Sequence, residues 1–96
     1  MDSKAQRSAE LLGGNIRSWR KLLNLTAQQV AERAGISRQA LGRLENGEPV
    51  SYETFLSVAR ALGIIERLID ASDPWETDLG RLRADEELPQ RVRHRG

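Results

Sequence analysis

Three pairs of helix start and stop signals follow one another in the middle of the chain: Thr26 and Gly35, Ser37 and Gly47, Ser51 and Gly63. A serine or threonine at the start offers an oxygen to the unpaired N–H groups of a first turn. A glycine at the end accepts the left-handed backbone that closes a last turn. Each pair leaves room for only about two or three helical turns. Helices that short do not persist alone in water, so they must be held by packing against one another.

The apolar residues keep the same period. Ile16, Trp19, Leu22 and Leu23 recur at helical spacing, so a first helix ends near Leu23 with Trp19 turned inward. Ser3 with Gln6 has the form of a capping box for its start. Gly13 and Gly14 weaken the early part of that helix by roughly 1 kcal/mol each. Thr26 with Gln29 forms a second capping box, and Ala27, Val30, Ala31 and Ala34 make a narrow apolar stripe. After Ser51, Phe55, Val58, Ala59 and Leu62 face inward, and a short fifth helix carries Ile64, Ile65, Leu68 and Ile69. No strand-like alternation of useful length occurs in residues 1–72. The expected fold is an all-α bundle. Asp73, Pro74, Trp75 and Glu76 spell another helix start, with proline at the first helical position. Trp75, Leu79 and Leu82 would share one stripe of that helix, which Gly80 weakens and Pro89 ends; residues 91–95 follow as an extended basic tip.

Composition removes several classes of function. There is no cysteine, hence neither a disulfide framework nor a thiolate metal site. His94 is the sole histidine and sits near the C-terminus, so metal and acid–base chemistry have little to work with; no cofactor and no enzymatic activity are expected. No apolar run approaches the roughly 20 residues of a spanning helix, and the first residues lead into no signal-peptide hydrophobic region. The expectation is a cytoplasmic, nucleoid-associated chain without a membrane partner.

Charge is segregated. Residues 17–43 hold six basic side chains against Glu32 alone, a local balance of +5, whereas residues 45–87 hold eleven acids against four arginines, a balance of −7. Charge runs are often merely solvated faces, but this asymmetry also suits a polyanionic partner.

The stretch AGISRQALGRLENG, residues 34–47, sharpens that. On a helix capped by Ser37, the residues Arg38, Gln39, Gly42, Arg43 and Asn46 fall on one side, while Ala40, Leu41 and Leu44 fall on the other. Small residues at Ala27, Ala31, Ala34 and Ala40 let this helix cross the preceding one closely, projecting its outer face from the body. That layout carries a recognition helix into the major groove of DNA. Arginine can bridge guanine O6 and N7, and glutamine can bridge adenine N6 and N7. Gly42 either lets DNA come close or is a tolerated surface glycine.

The segment LTAQQVAERAGISRQALGRLENG, residues 25–47, resembles the Cro/phage-repressor-like (XRE) helix-turn-helix family, over roughly residues 15–70. The resemblance implies a five-helix, lambda-repressor-like bundle, a symmetric homodimer on an inverted repeat of double-stranded DNA, and transcriptional repression, including of its own gene. It makes residues 1–14 an N-terminal arm or the start of the first helix, and residues 71–96 a helical or extended tail. Arg38, Gln39 and Arg43 match base-reading positions; Thr26, Gln28, Ser37 and Asn46 match positions near phosphates. Ala27 departs from the pattern, because many relatives carry a backbone-gripping glutamine there and neighbouring Gln28 is an imperfect substitute. Arg20 and Glu45 match a pair that forms an internal salt bridge in similar proteins. Arg17 and Lys21 are expected to be exposed and to attract phosphates nonspecifically.

A helix-turn-helix domain with a short, arginine-tipped tail is also similar to antitoxins encoded beside HipA-type kinase toxins. On that resemblance Trp75, Leu79 and Leu82 would contact a second subunit or a toxin. Two other readings stand beside it: a stand-alone or prophage repressor without a toxin, and a protein-interaction module that neutralises a toxin with DNA binding secondary.

Overall fold

The computed structural model describes residues 1–84 and residue 86. Within them the chain forms six α-helices and a single 3₁₀ turn, with no strand. The helices are α1 (Ser3–Leu22), α2 (Ala27–Ala34), α3 (Arg38–Glu45), α4 (Tyr52–Ala61), α5 (Ile65–Ser72) and α6 (Asp78–Ala84); the turn, Pro74–Glu76, precedes α6. The chain divides into two compact units, Met1–Ile65 and Glu66–Gly96.

The central signals act where the sequence puts them. The Thr26 hydroxyl accepts from the Gln29 N–H at 3.0 Å, and the Gln29 side chain accepts from the Thr26 N–H at 2.8 Å, closing the capping box of α2. Ser37 accepts from the Ala40 N–H and Ser51 from the Thr54 N–H, each at 3.0 Å. Gly35, Gly47 and Gly63 take positive φ values of 70, 77 and 74° behind α2, α3 and α4.

The first helix differs from expectation at both ends of its weak region. Its N-cap is Asp2, whose carboxylate accepts from the Ala5 N–H at 2.8 Å, so the Ser3–Gln6 box does not form. A carboxylate there also complements the positive end of the helix dipole. Gln6 is used elsewhere: it donates to the Gly47 carbonyl at 3.1 Å, tying α1 to the turn after α3. The helix then runs unbroken through Gly13 and Gly14. Gly13 is buried against the end of α3, where an added Cβ would collide with the Leu44 carbonyl oxygen and come within 2.7 Å of that of Glu45. The glycine that weakens α1 locally is what lets α1 lie directly on the backbone of α3.

The core of the first unit is aliphatic. Val30, Leu41 and Val58 are fully buried, and Ile16, Ala31, Leu44, Ala59, Leu62 and Ile64 join them. Each fully buried side chain of this size contributes about 1.5–3 kcal/mol. Within that unit α2 packs on α3 and α4, while α1 packs on α3. Alanines at 27, 31 and 59 are buried, so the core of α2 and α4 is lined by small side chains.

In the second unit the expected single helix from Pro74 is broken. Asp73 caps only the 3₁₀ turn, accepting from the Trp75 N–H at 2.9 Å. Thr77 is extended, and its hydroxyl accepts from the Gly80 N–H at 3.0 Å, so a second cap starts α6 four residues later. Trp75 therefore does not share one continuous helical stripe with Leu79 and Leu82. Trp75 is half-buried, whereas Leu79 and Leu82 are exposed. Gly80 is buried, and a Cβ there would collide with the Pro74 carbonyl oxygen, so this glycine admits α6 against the turn. The expected basic tip and the Pro89 stop lie outside the described residues.

Candidate nucleic-acid interface

The third helix is split lengthwise by its sequence. Leu41 and Leu44 are buried and fix its inner side, while Arg38, Gln39 and Arg43 point outward on the other. Arg38, Gln39, Gly42, Arg43, Asn46 and Glu48 together line an open hollow on the surface. No Cβ added at Gly42 would meet another atom within 4 Å, so the space over that position is open. Its arginines and amides can donate to or bridge base edges.

Of the phosphate candidates, only Asn46 lies in that lining. Ser37 caps α3 immediately before Arg38. Thr26 caps α2, and Gln28 is exposed with its amide donating to Glu32 at 3.0 Å. Thr26 and Ser37 each keep a hydroxyl proton to donate outward, because their caps use the oxygen only as an acceptor. Ala27 is buried and offers nothing to a ligand.

Behind the hollow stands an ionic cluster that holds α3 in place. Glu45 is buried. Arg20 donates to both of its carboxylate oxygens, Nε to Oε2 at 2.7 Å and Nη2 to Oε1 at 2.9 Å. Arg17 adds a third hydrogen bond, Nε to Oε1 at 3.2 Å. Burial alone would raise the Glu45 carboxyl, but the hydrogen bonds and charges of Arg20 and Arg17 outweigh it and hold the group below its ordinary value. Donating to that carboxylate in turn raises Arg20, against the opposing effect of burial. Arg20 and Arg17 are spaced i, i+3 and so share one side of α1.

Two residues behave differently from what the sequence suggests. Arg17 is partly exposed but also has partners on the protein: besides the Nε bond to Glu45, its Nη2 donates to Asn46 Oδ1 at 2.9 Å. Its i, i+3 spacing from Arg20 is the signal that could reveal this. Glu48 stands in the hollow itself, an acid beside the base-reading candidates, and nothing in the local pattern singles it out. Among the described residues, no group of three or more His, Cys, Asp or Glu side chains is placed to hold a metal ion, and no helix is long and apolar enough to cross a membrane.

The chain is 39% identical over 54 residues to the control protein C.SmaI of Serratia marcescens, an alignment covering 55% of this chain and 64% of that relative. It thus spans less than two thirds of that relative's length. No solved structure matches. A helix-turn-helix family matches residues 16–66, which run from α1 through α4 into α5. With more than half of its length in that match, the chain belongs to the helix-turn-helix family, as a Cro/XRE-like DNA-binding member.

Proposed function

We propose that this chain is a sequence-specific regulator of transcription that lays α3 in the major groove of double-stranded DNA. The observation carrying this reading is the division of α3: Leu41 and Leu44 anchor it inward, and Arg38, Gln39 and Arg43 stand on its outer side. Those three side chains read bases; Thr26, Gln28, Ser37 and Asn46 position the phosphate backbone. Residues 15–70 form the DNA-binding domain, with residues 1–14 starting its first helix and residues 71–96 serving subunit or partner contacts. The chain acts by binding in the cytoplasm and not by turnover, in keeping with its family and with a relative named a control protein. It binds as a homodimer on an inverted repeat, with half-sites about one helical turn apart. Selection of bound duplexes from a randomised library, followed by footprinting, tests this: an enriched inverted repeat supports it, and enrichment of no sequence removes it.

The finer reading is that the regulator is the antitoxin of a HipA-like kinase toxin and represses its own gene. Leu79 and Leu82 favour a protein partner, since they lie 63% and 66% exposed on α6. Trp75 borders them in sequence. The acidic balance of residues 45–87 would be repelled by phosphates and so suits a protein better than DNA. A kinase-like neighbouring reading frame whose product co-purifies with the chain supports the antitoxin; its absence leaves a stand-alone or prophage repressor. A truncation after Ser72 that keeps operator preference but loses its partner supports the division of labour between the two units.

A further inference from the structure

Asn46 caps the C-terminal end of α3, is exposed and belongs to the lining of the hollow. That end of a helix carries partial negative charge, and Glu48 adds a full one nearby, so it is a poor place for a phosphate unless strong donors face outward. An asparagine amide has one acceptor end and one donor end, and either could point out. Here the choice is made by Arg17. A guanidinium has donors only, so the atom it meets at 2.9 Å must be the carbonyl oxygen of Asn46. Arg17 is itself held by the buried carboxylate of Glu45, which Arg20 grips on both oxygens. The line of hydrogen bonds from Arg20 through Glu45 to Arg17 ends by turning the Asn46 amide.

We infer that Arg17 is a positioning residue: it fixes Asn46 with its Nδ2 donors outward, making Asn46 a partner for a backbone phosphate oxygen of DNA. Phosphate oxygens only accept, so an amide locked as a donor matches them without the cost of choosing an orientation on binding. Arg17 acts through Asn46, with its Nε engaged by Glu45 and its Nη2 by Asn46. This rests on the reading of α3 as the DNA-facing helix.

The test uses the full chain with two duplexes, one recovered by selection with the unaltered protein and one of random sequence. Affinity, its salt dependence and the thermal midpoint are measured for Asn46→Asp, Asn46→Ala, Arg17→Met and the Arg17→Met/Asn46→Ala pair. Aspartate keeps an oxygen for Arg17 but has no outward donors. Asn46→Asp should therefore hold or raise the thermal midpoint while weakening both duplexes by about tenfold or more. Arg17→Met should weaken both duplexes, and the pair should fall little below Asn46→Ala alone, because the two side chains work as one unit.

Full affinity in Asn46→Asp would overturn the inference. So would reductions in the pair that multiply, with a salt slope smaller by about 1 in Arg17→Met, since Arg17 would then hold a phosphate itself. A reduction confined to the selected duplex would also overturn it, making Asn46 a base reader. If selection enriches no sequence and the unaltered chain binds no random duplex, the DNA-binding reading fails, and this inference with it.

Discussion

Arg20 on α1 and Glu45 on α3 meet through two hydrogen bonds of 2.7 and 2.9 Å, and the Glu45 side chain that accepts them is only 4% exposed. The pair ties α1 to the C-terminal end of the helix assigned to DNA. Replacing one partner leaves the other desolvated and uncompensated, which costs about 3–5 kcal/mol for a buried pair. Arg20→Ala and Glu45→Ala should each lower stability by that order in urea unfolding, and the double variant should fall short of their combined effect. Full additivity would show that the two side chains do not stabilise one another.

The same carboxylate makes stability depend on pH. Glu45 titrates below its ordinary value of 4.5 in the folded chain, so between the two values the unfolded chain binds more protons. The contribution is therefore complete above about 4.5 and disappears as pH falls through the lower, folded value. Unfolding measured from neutral pH down into the acid range should steepen at the acid end in the unaltered chain. In Glu45→Gln that acid limb should be shallower; an unchanged limb would assign it to other carboxylates.

Adjacent glycines on α1 should respond in opposite directions. A Cβ at Gly13 meets the backbone oxygens of Leu44 and Glu45, whereas one at Gly14 meets nothing within 4 Å. Gly13→Ala should destabilise by about 1–3 kcal/mol, as overpacking does. Gly14→Ala should stabilise by up to ~1 kcal/mol through helix propensity alone. Equal thermal midpoints for the two variants would contradict the close approach of α1 to α3.

Those two glycines also show how far the sequence is legible. Thr26, Ser37 and Ser51 can be recognised as caps because each bonds a backbone N–H three residues away. The same holds for buried Leu41 and Leu44 set against Arg38, Gln39 and Arg43, which is a matter of helical period alone. Gly13 looks like a weakness because its reason lies more than thirty positions along the chain, in a carbonyl that no local pattern can foresee. The stripe of Trp75, Leu79 and Leu82 fails for a local reason instead: Asp73 and Thr77 are competing caps four residues apart, and the second takes the helix. Arg17 looks like a free surface cation because its partners, Glu45 and Asn46, come from α3 and its C-cap rather than from its own helix.

Gly42 separates the two explanations that its sequence position allows. With no atom within 4 Å of an added Cβ, Gly42→Ala should raise stability by up to ~1 kcal/mol. If the bare position lets DNA approach, the same variant should bind a selected duplex more weakly. Unchanged affinity would mark Gly42 as a surface glycine with no part in binding.

Binding should also be strongly salt-dependent. Residues 17–43 concentrate positive charge in the segment that includes α3. Each phosphate that a protein neutralises steepens the fall of log affinity with log salt by about 1. Titrations between about 50 and 200 mM salt should show affinity falling steeply. A flat response would show that the basic side chains of residues 17–43 neutralise no phosphates.

The most direct test of the central claim compares Gln39→Ala and Arg43→Ala with the unaltered chain on two duplexes, one selected by the protein and one random. Both side chains lie in the outer hollow of α3 and neither enters the core. If they read bases, each variant binds the selected duplex about 1–3 kcal/mol more weakly and the random one almost as before, with thermal midpoints nearly unchanged. Equal weakening on both duplexes would contradict the account, because these side chains would then be holding phosphates and the sequence would be read elsewhere.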